Sequence, residues 1–596
     1  MTNDSTVDAI ASEIWQTLEK LSSAPSDYGL MRELVHNFLS VGRNDDALYY
    51  LNILIENEPT VDDCLLSGNL LHERNELFQA EKRYLQAIEL DPSSELAYCR
   101  LVDYSLQQFK LLKVKSYCHK ILEINPNNLQ YKRLLSQVFF ILGMVNMGVV
   151  HLKQLIADKK ERGNLMPSDI SALICFQAHN FYSSRPEMLN VANSFKECVY
   201  ERMPPKLINF FETFAKDRFL KRQQRKLKIG YVFPFSKISI APFFLDLLKN
   251  RDQNAFEYYC FHTHEYGDYV AMGIRENCDK YFSLADLDDF EAAKLIFESE
   301  IDILIDMRAH VPQGRLGLFL LKPAPIQISF YDYLEPIGLP QIDYIINNAE
   351  WASGTSHDPR EMPDLLLPIF PLYFPLPQFK PKNLTKDSNA PIIFASFNRF
   401  EKVNEVVIKV WAKLLNLKRN STLLLQADIF QDTDCQDYVT ELFQNYGVKP
   451  ERLIFAKKQA HKDFLEAINK IDITLSPFPF PGVTTSFYTL SQGVPVIVMD
   501  VPKNKASKAA VSLLKELGLD EFIASSEDEY VSKAIYYSDR ELLEKYKPMI
   551  RERLANADFT NPAKFQKHFE TLLQNVWEKH KMEHLNNQLI NQTPAA

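Results

Sequence analysis

The sequence predicts a helical N-terminal array followed by two parallel-sheet α/β domains, and three observations carry that reading. Pro25, Pro59, Pro92 and Pro126 recur at spacings of 34, 33 and 34 residues, the period of stacked helical pairs. From residue 227 short apolar runs alternate with helical stretches, the pattern of βα units around a parallel sheet. A proline-rich stretch over residues 362–391 then divides that alternation in two.

Composition agrees with several folded domains: the chain has 596 residues, 46% hydrophobic and 24% charged. No apolar run approaches the ~18 to 20 residues needed to span a bilayer, and residues 1–11 have neither the basic start nor the apolar core of an export signal. Cytoplasmic residence without a membrane span is the expectation. Eight cysteines (Cys64, Cys99, Cys118, Cys175, Cys198, Cys260, Cys278 and Cys435) lack paired short spacings, so they read as reduced, mostly buried thiols rather than disulfides or a zinc site. A net charge of −10 disfavours a nucleic-acid partner. The one basic run, KDRFLKRQQRKLK over residues 216–228, reads as a solvated helix or linker.

Residues 1–160 form the helical array. Three of the prolines end helices written ENEP, ELDP and EINP, and Gly68, Ala80, Tyr84 and Ala87 occupy the small and aromatic positions where the two helices of a tetratricopeptide repeat touch. Such a solenoid leaves a concave face for an extended partner, although the same array also serves as a plain spacer. Residues 161–225 are helical without the repeat. Residues 226–380 hold strands at LKIGYV, at 258–262, at IDILIDM, at 326–331 and at 344–346. Residues 390–581 hold a second set at 392–396, 422–426, 453–455, 471–475 and 494–499, closed by helices, and residues 582–596 form a polar tail.

Chemistry concentrates on the second sheet. Residues 476–499, SPFPFPGVTTSFYTLSQGVPVIVM, read as a strand end, a glycine turn, a helix and another strand. Gly482 allows a tight turn and places Thr484 and Thr485 at the helix start, where unpaired N–H groups and hydroxyls make an anion cradle; the bland reading is that the threonines cap the helix. Residues 394–402, FASFNRFEK, bring Asn398, Arg399 and Lys402 to the same sheet edge, where α/β proteins bind nucleotides. Phe464 offers a ring to a nucleobase or packs in the core. Asp286 with Asp288 and Asp432 with Asp434 read as helix caps before metal ligands, and His262 with His264 have no evident third ligand.

With these residues in place the chain resembles the family of O-linked N-acetylglucosamine transferases and SPINDLY-type proteins, and bacterial members in particular. The likeness is most specific at PAPIQISFYDY, IDYII, FNRFEK, RLIF and PGVTTSFYTLSQGVPVIVM. It implies a GT-B pair of Rossmann-like domains behind tetratricopeptide repeats. It also implies a sugar, N-acetylglucosamine or another hexose, passing from a UDP-linked donor to a serine or threonine hydroxyl of a protein, with inversion and no metal or other cofactor. Lys402 would then grip the donor diphosphate, Thr484 and Thr485 would bond the same group, Phe464 would stack on the base, and Arg399 would replace a glutamine near the phosphates. His310, in DMRAH, matches a histidine beside the acceptor and is the candidate for acid–base work; the alternative is a satisfied histidine at a strand end. The repeats would present a protein or peptide acceptor.

The sequence also departs from the family. Where transferases carry a catalytic histidine in the first loop, this chain has Ile238 or Ser239; the glycine-rich loop after PAPIQ becomes YDYLEPIG; and the acid that holds the ribose becomes Tyr488. A second expectation therefore stands beside the enzyme: a repeat scaffold that keeps the transferase fold without its activity.

Overall fold

The computed structural model describes residues 4–221, 225–234, 241–264, 269–330, 336–352, 358, 360–377, 387, 389–502 and 504–592. The chain forms two compact units, Met1–Phe139 and Phe140–Ala596.

The first unit begins with the helix Asp4–Ser23 and continues as antiparallel pairs: Tyr28–Ser40 with Asn44–Asn57, Val61–Glu73 with Leu77–Leu90, and Glu95–Gln107 with Leu111–Ile124. Each of the four regularly spaced prolines falls within two residues of a helix end, because proline cannot donate to the next turn. Ala47, Leu51, Leu54, Cys64, Ala80, Tyr84, Ala87 and Leu101 share one buried core. Thr60 opens its helix with a capping box, accepting from the Asp63 N–H while the Asp63 carboxylate accepts from the Thr60 N–H. Arg32 then donates to the buried Asp63 carboxylate and to the Glu58 carbonyl, stitching neighbouring pairs.

The expected solenoid ran to residue 160, but the division falls at residue 139, inside the helix Leu129–Ile141. Helices continue at Val145–Glu161, Pro167–His179 and Arg185–Arg202. They are not a free linker. Ile170, Ile174, Ala192 and Phe195 join the core that covers the first sheet, with Phe261, Leu304 and Leu321.

That sheet has seven strands: β1 (Leu227–Phe233), β2 (Phe256–His262), β3 (Lys280–Ser283), β4 (Ile303–Asp306), β5 (Ile326–Ser329), β6 (Tyr344–Asn348) and β7 (Asp364–Leu367). All are parallel, in the order β3-β2-β1-β4-β5-β6-β7. The second sheet has six: β8 (Ile392–Ser396), β9 (Ser421–Gln426), β10 (Leu453–Ala456), β11 (Ile473–Leu475), β12 (Val496–Met499) and β13 (Ile523–Ala524). These are also parallel, in the order β10-β9-β8-β11-β12-β13. Both are doubly wound, and the order reverses between β1 and β4 in one and between β8 and β11 in the other. In such sheets the crevice at the reversal is the binding place.

Three details differ from the sequence reading. The proline-rich stretch is not all connector, since β7 lies within it and pairs with β6 from Ile345↔Asp364 to Asn348↔Leu367. The basic run is not fully solvated: Arg218 is buried, donates to the Ile301 and Phe297 carbonyls at 2.6 and 2.7 Å, and lies over the Phe297 ring, with its pKa pushed down to about 10 by burial. The closing helix, Pro562–Gln592, continues past residue 581 and packs back on the first half. There the Tyr258 hydroxyl donates to Glu570, Tyr344 bonds His580, and Trp577 lies against Phe219. No helix among the described residues is long and apolar enough to cross a membrane.

Candidate functional site

The reversal point of the second sheet gathers the loops after β8 and β11. Ser396 ends β8 and accepts a hydrogen bond at 3.1 Å from Asn398 Nδ2. A short 3-10 turn, Phe400–Lys402, follows, and Asn404 then caps the helix Glu405–Leu417 by accepting from the Val406 and Val407 N–H groups. The other end of the Asn404 amide donates to the Phe478 carbonyl at 2.7 Å, which ties the two loops together.

After β11 the chain runs through Phe478, Phe480 and Pro481 to Gly482, the N-cap of the helix Val483–Ser491. A Cβ at residue 482 would lie 1.9 Å from Asn398 Oδ1, so the amide approaches closely enough that only glycine fits. Gly482 supplies no side-chain cap, and Thr484 and Thr485 are the second and third helical residues rather than caps. The first-turn N–H groups of this helix have no partner further back in the helix. Both threonines are half-buried.

Lys402 reaches this turn: its Nζ donates to the Pro481 carbonyl at 2.9 Å and lies 4.7 Å from the centroid of the Phe480 ring. Arg399, by contrast, has a largely exposed side chain that pairs with Glu401 at 3.0 Å. The structure thus brings Asn398, Lys402, Gly482, Thr484 and Thr485 to one turn and leaves Arg399 at its rim.

Phe464, on the helix His461–Ile468, meets Phe397 edge-on at 5.3 Å and Tyr488 at 6.0 Å, and His461 completes the group at 4.8 Å from Tyr488. Tyr488 lies one turn beyond Thr484 on the same helix, so the aromatic group and the anion cradle share an element. Burial pushes the Tyr488 phenol up to about 12, which keeps it a neutral donor at working pH. It is no substitute for a carboxylate.

His310 stands on the other sheet, just past β4, and is buried. Its Nε2 must donate to the Ile337 carbonyl at 2.8 Å, so its Nδ1 accepts from the Ser171 hydroxyl at 2.9 Å; this assigns the neutral Nε2–H tautomer. Burial pushes its pKa down to about 4. Asp306, four residues earlier, accepts from the Arg308 and Ala309 N–H groups and holds this turn, and burial pushes its carboxyl up to about 7. Ile238, Ser239 and Leu334, at the departures in the first-domain loops, lie outside the described residues. Asp288 and Asp432 cap helices.

Sequence reasoning missed Asp306, Asn404, Phe480 and His179. The signal for Asn404 was local, an asparagine two residues past Lys402 at a helix start. Nothing in one sequence connects His179 with Phe480.

Comparison with known proteins adds the family context. The profile of glycosyl transferase family 41 matches residues 197–356 and 382–569. A tomato (Solanum lycopersicum) protein described as a probable UDP-N-acetylglucosamine--peptide N-acetylglucosaminyltransferase SPINDLY is 28% identical over 370 residues, covering 60% of this chain and 40% of that protein. The Arabidopsis thaliana protein of the same description named SEC is 25% identical over 333 residues, covering 52% and 33%. The matched part therefore spans two fifths or less of these relatives. Among solved structures, a mutant of the Thermobaculum terrenum O-GlcNAc transferase superposes with a TM-score of 0.73 at 21% identity, covering 88% of this chain and 98% of that one. That likeness is one of fold.

Proposed function

Because the chain belongs to glycosyl transferase family 41, we propose that it moves a sugar from a nucleoside diphosphate to a protein side chain, with Lys402 and the first turn of Val483–Ser491 receiving the departing diphosphate. The observation that carries this reading is the Lys402 ammonium, held 2.9 Å from the Pro481 carbonyl beside a helix start whose cap is a glycine. UDP-N-acetylglucosamine is the first donor to test, since the matched relatives are named for it.

In the reaction a serine or threonine oxygen attacks the anomeric carbon from the face opposite the leaving group. The bond from that carbon to the β-phosphate oxygen breaks, and its electron pair stays on the diphosphate. Configuration inverts. Negative charge grows on the leaving group, so donors fixed in advance around it favour the transition state over bound substrate. The helix start contributes only ~0.3 to 1 kcal/mol when exposed and up to ~2 when partly buried. Lys402 contributes more, by exchanging the Pro481 carbonyl for a phosphate oxygen, and the step needs no metal. The hydroxyl proton goes to His310 at Nδ1, the nitrogen without a proton, in exchange for the Ser171 bond. The helical pairs of the first unit bind the acceptor polypeptide, and the protein works in the cytoplasm.

Tyr488, in place of a ribose-holding acid, favours the second reading, a scaffold without activity. A thermal-shift panel of UDP, GDP and UDP-N-acetylglucosamine separates the two, since a scaffold gains no stability from any of them. With an active donor, Lys402→Ala lowers turnover by about 100- to 1,000-fold, as loss of a single preorganised donor does elsewhere. Donor hydrolysis and intact-mass analysis of acceptor proteins report it; full activity in that variant removes Lys402 from the mechanism.

A further inference from the structure

His179 ends the helix Pro167–His179, some 300 residues before the loop after β11, yet its ring lies parallel to Phe480 at 4.1 Å and 4°. Its Nδ1 donates to the Cys175 carbonyl, one turn back, at 2.9 Å. Phe140 meets its edge at 5.1 Å and is itself stacked on Phe176 at 4.0 Å. The Ala178 carbonyl accepts from Asn504 Nδ2 at 2.9 Å, fixing the helix end against the second half. The turn between the helices Leu129–Ile141 and Val145–Glu161 backs the same site. At Gly143, with φ +75°, an added Cβ would lie 2.6 Å from the Val403 carbonyl, one residue beyond Lys402.

We propose that Phe480 and His179 are positioning residues for Lys402: the phenyl ring, backed by the imidazole, is the surface that holds the ammonium beside the first turn of Val483–Ser491. The inference rests on the transferase reading of this site. An aromatic face attracts a cation within about 6 Å, more strongly where water is excluded, and the Lys402 ammonium lies at 4.7 Å. A ring in van der Waals contact with a second ring cannot tilt away when the cation is drawn toward a phosphate. The backing must be uncharged, and it is: burial, helped by the nearby Lys402 and Arg399 charges, pushes His179 down to about 3. Among the described residues its buried Nε2 has no hydrogen-bond partner, so the stack uses the shape of the imidazole and not a bond from that nitrogen.

Calorimetric titration of the full chain with UDP tests the assignment. Phe480→Leu and His179→Ala each weaken binding by about tenfold, while the ring-preserving Phe480→Tyr and His179→Phe stay near the parent. Parental affinity in Phe480→Leu overturns the proposal, and so does a His179→Phe protein as weak as His179→Ala. A second readout needs no nucleotide: acetic anhydride labelling followed by mass spectrometry, with Lys409 as the internal standard. Phe480→Leu frees the ammonium and speeds acetylation of Lys402 relative to Lys409; an unchanged ratio overturns the proposal. If the parent binds no UDP, the transferase reading fails, and the labelling ratio still decides whether the stack holds the lysine.

Discussion

Gly482 shows how one missing side chain shapes the site. Asn398 occupies the space a Cβ would need, at 1.9 Å, so Gly482→Ala must displace the Asn398 amide, which donates to Ser396. Overpacking of this kind costs about 1 to 3 kcal/mol. The expected result is a lower melting temperature and weaker UDP binding, with the melting temperature recovered when Asn398→Ala is added; a parental melting temperature in the single variant contradicts the packing. Gly482, Thr484 and Thr485 were legible because a turn glycine and hydroxyl residues at a helix start are local chemistry. The exposed, Glu401-paired Arg399 and the doubly bonded His310 were read only as residue types at a strand end, since burial and partners are set by distant segments such as Ser171 and Ile337.

Elements were legible in proportion to their burial and length. β1, β2, β4 and β5 are short apolar runs on buried strands, whereas β3 is half-exposed, β7 is a half-exposed edge strand among prolines and β13 has two residues; none of these three carries a clear period. The helical pairs were legible because packing repeats: Gly68 meets the Tyr84 ring so closely that an added Cβ would lie 2.4 Å from a ring carbon. Gly68→Ala therefore sets a helix-propensity gain of ~1 kcal/mol against an overlap with a fully buried tyrosine, and the overlap of ~1 to 3 kcal/mol wins. Hydrogen exchange should quicken across Val61–Glu73 and Leu77–Leu90; slower exchange there shows that propensity dominates.

At the scale of the whole molecule, three buried groups, His179 distant in sequence from the neighbouring Asp306 and His310, contribute to the acid response. His179 falls from 6.5 to about 3 and His310 from 6.5 to about 4, while Asp306 rises from 3.8 to about 7, each chiefly through burial. Between pH 6.5 and 4 the unfolded chain takes up protons at both imidazoles and the folded protein does not. Each histidine therefore lowers stability as pH falls, by ~1.4 kcal/mol per unit at most. Asp306 works in the opposite sense, because here the folded state binds the proton that the unfolded state leaves off, returning a similar amount. Among these three groups, one histidine's worth of acid sensitivity remains. Asp306→Asn removes the opposing group, so its stability should fall more steeply than the parent's by up to ~1.4 kcal/mol per pH unit across this window, and His179→Phe should flatten the fall by a similar amount. Urea melts at pH 6.5, 5.5 and 4.5 measure the slopes, and comparison of variants cancels the surface carboxylates common to all. A parental slope in Asp306→Asn would mean that this carboxyl stays ionised inside the fold, held by the Arg308 and Ala309 N–H groups strongly enough to offset its burial.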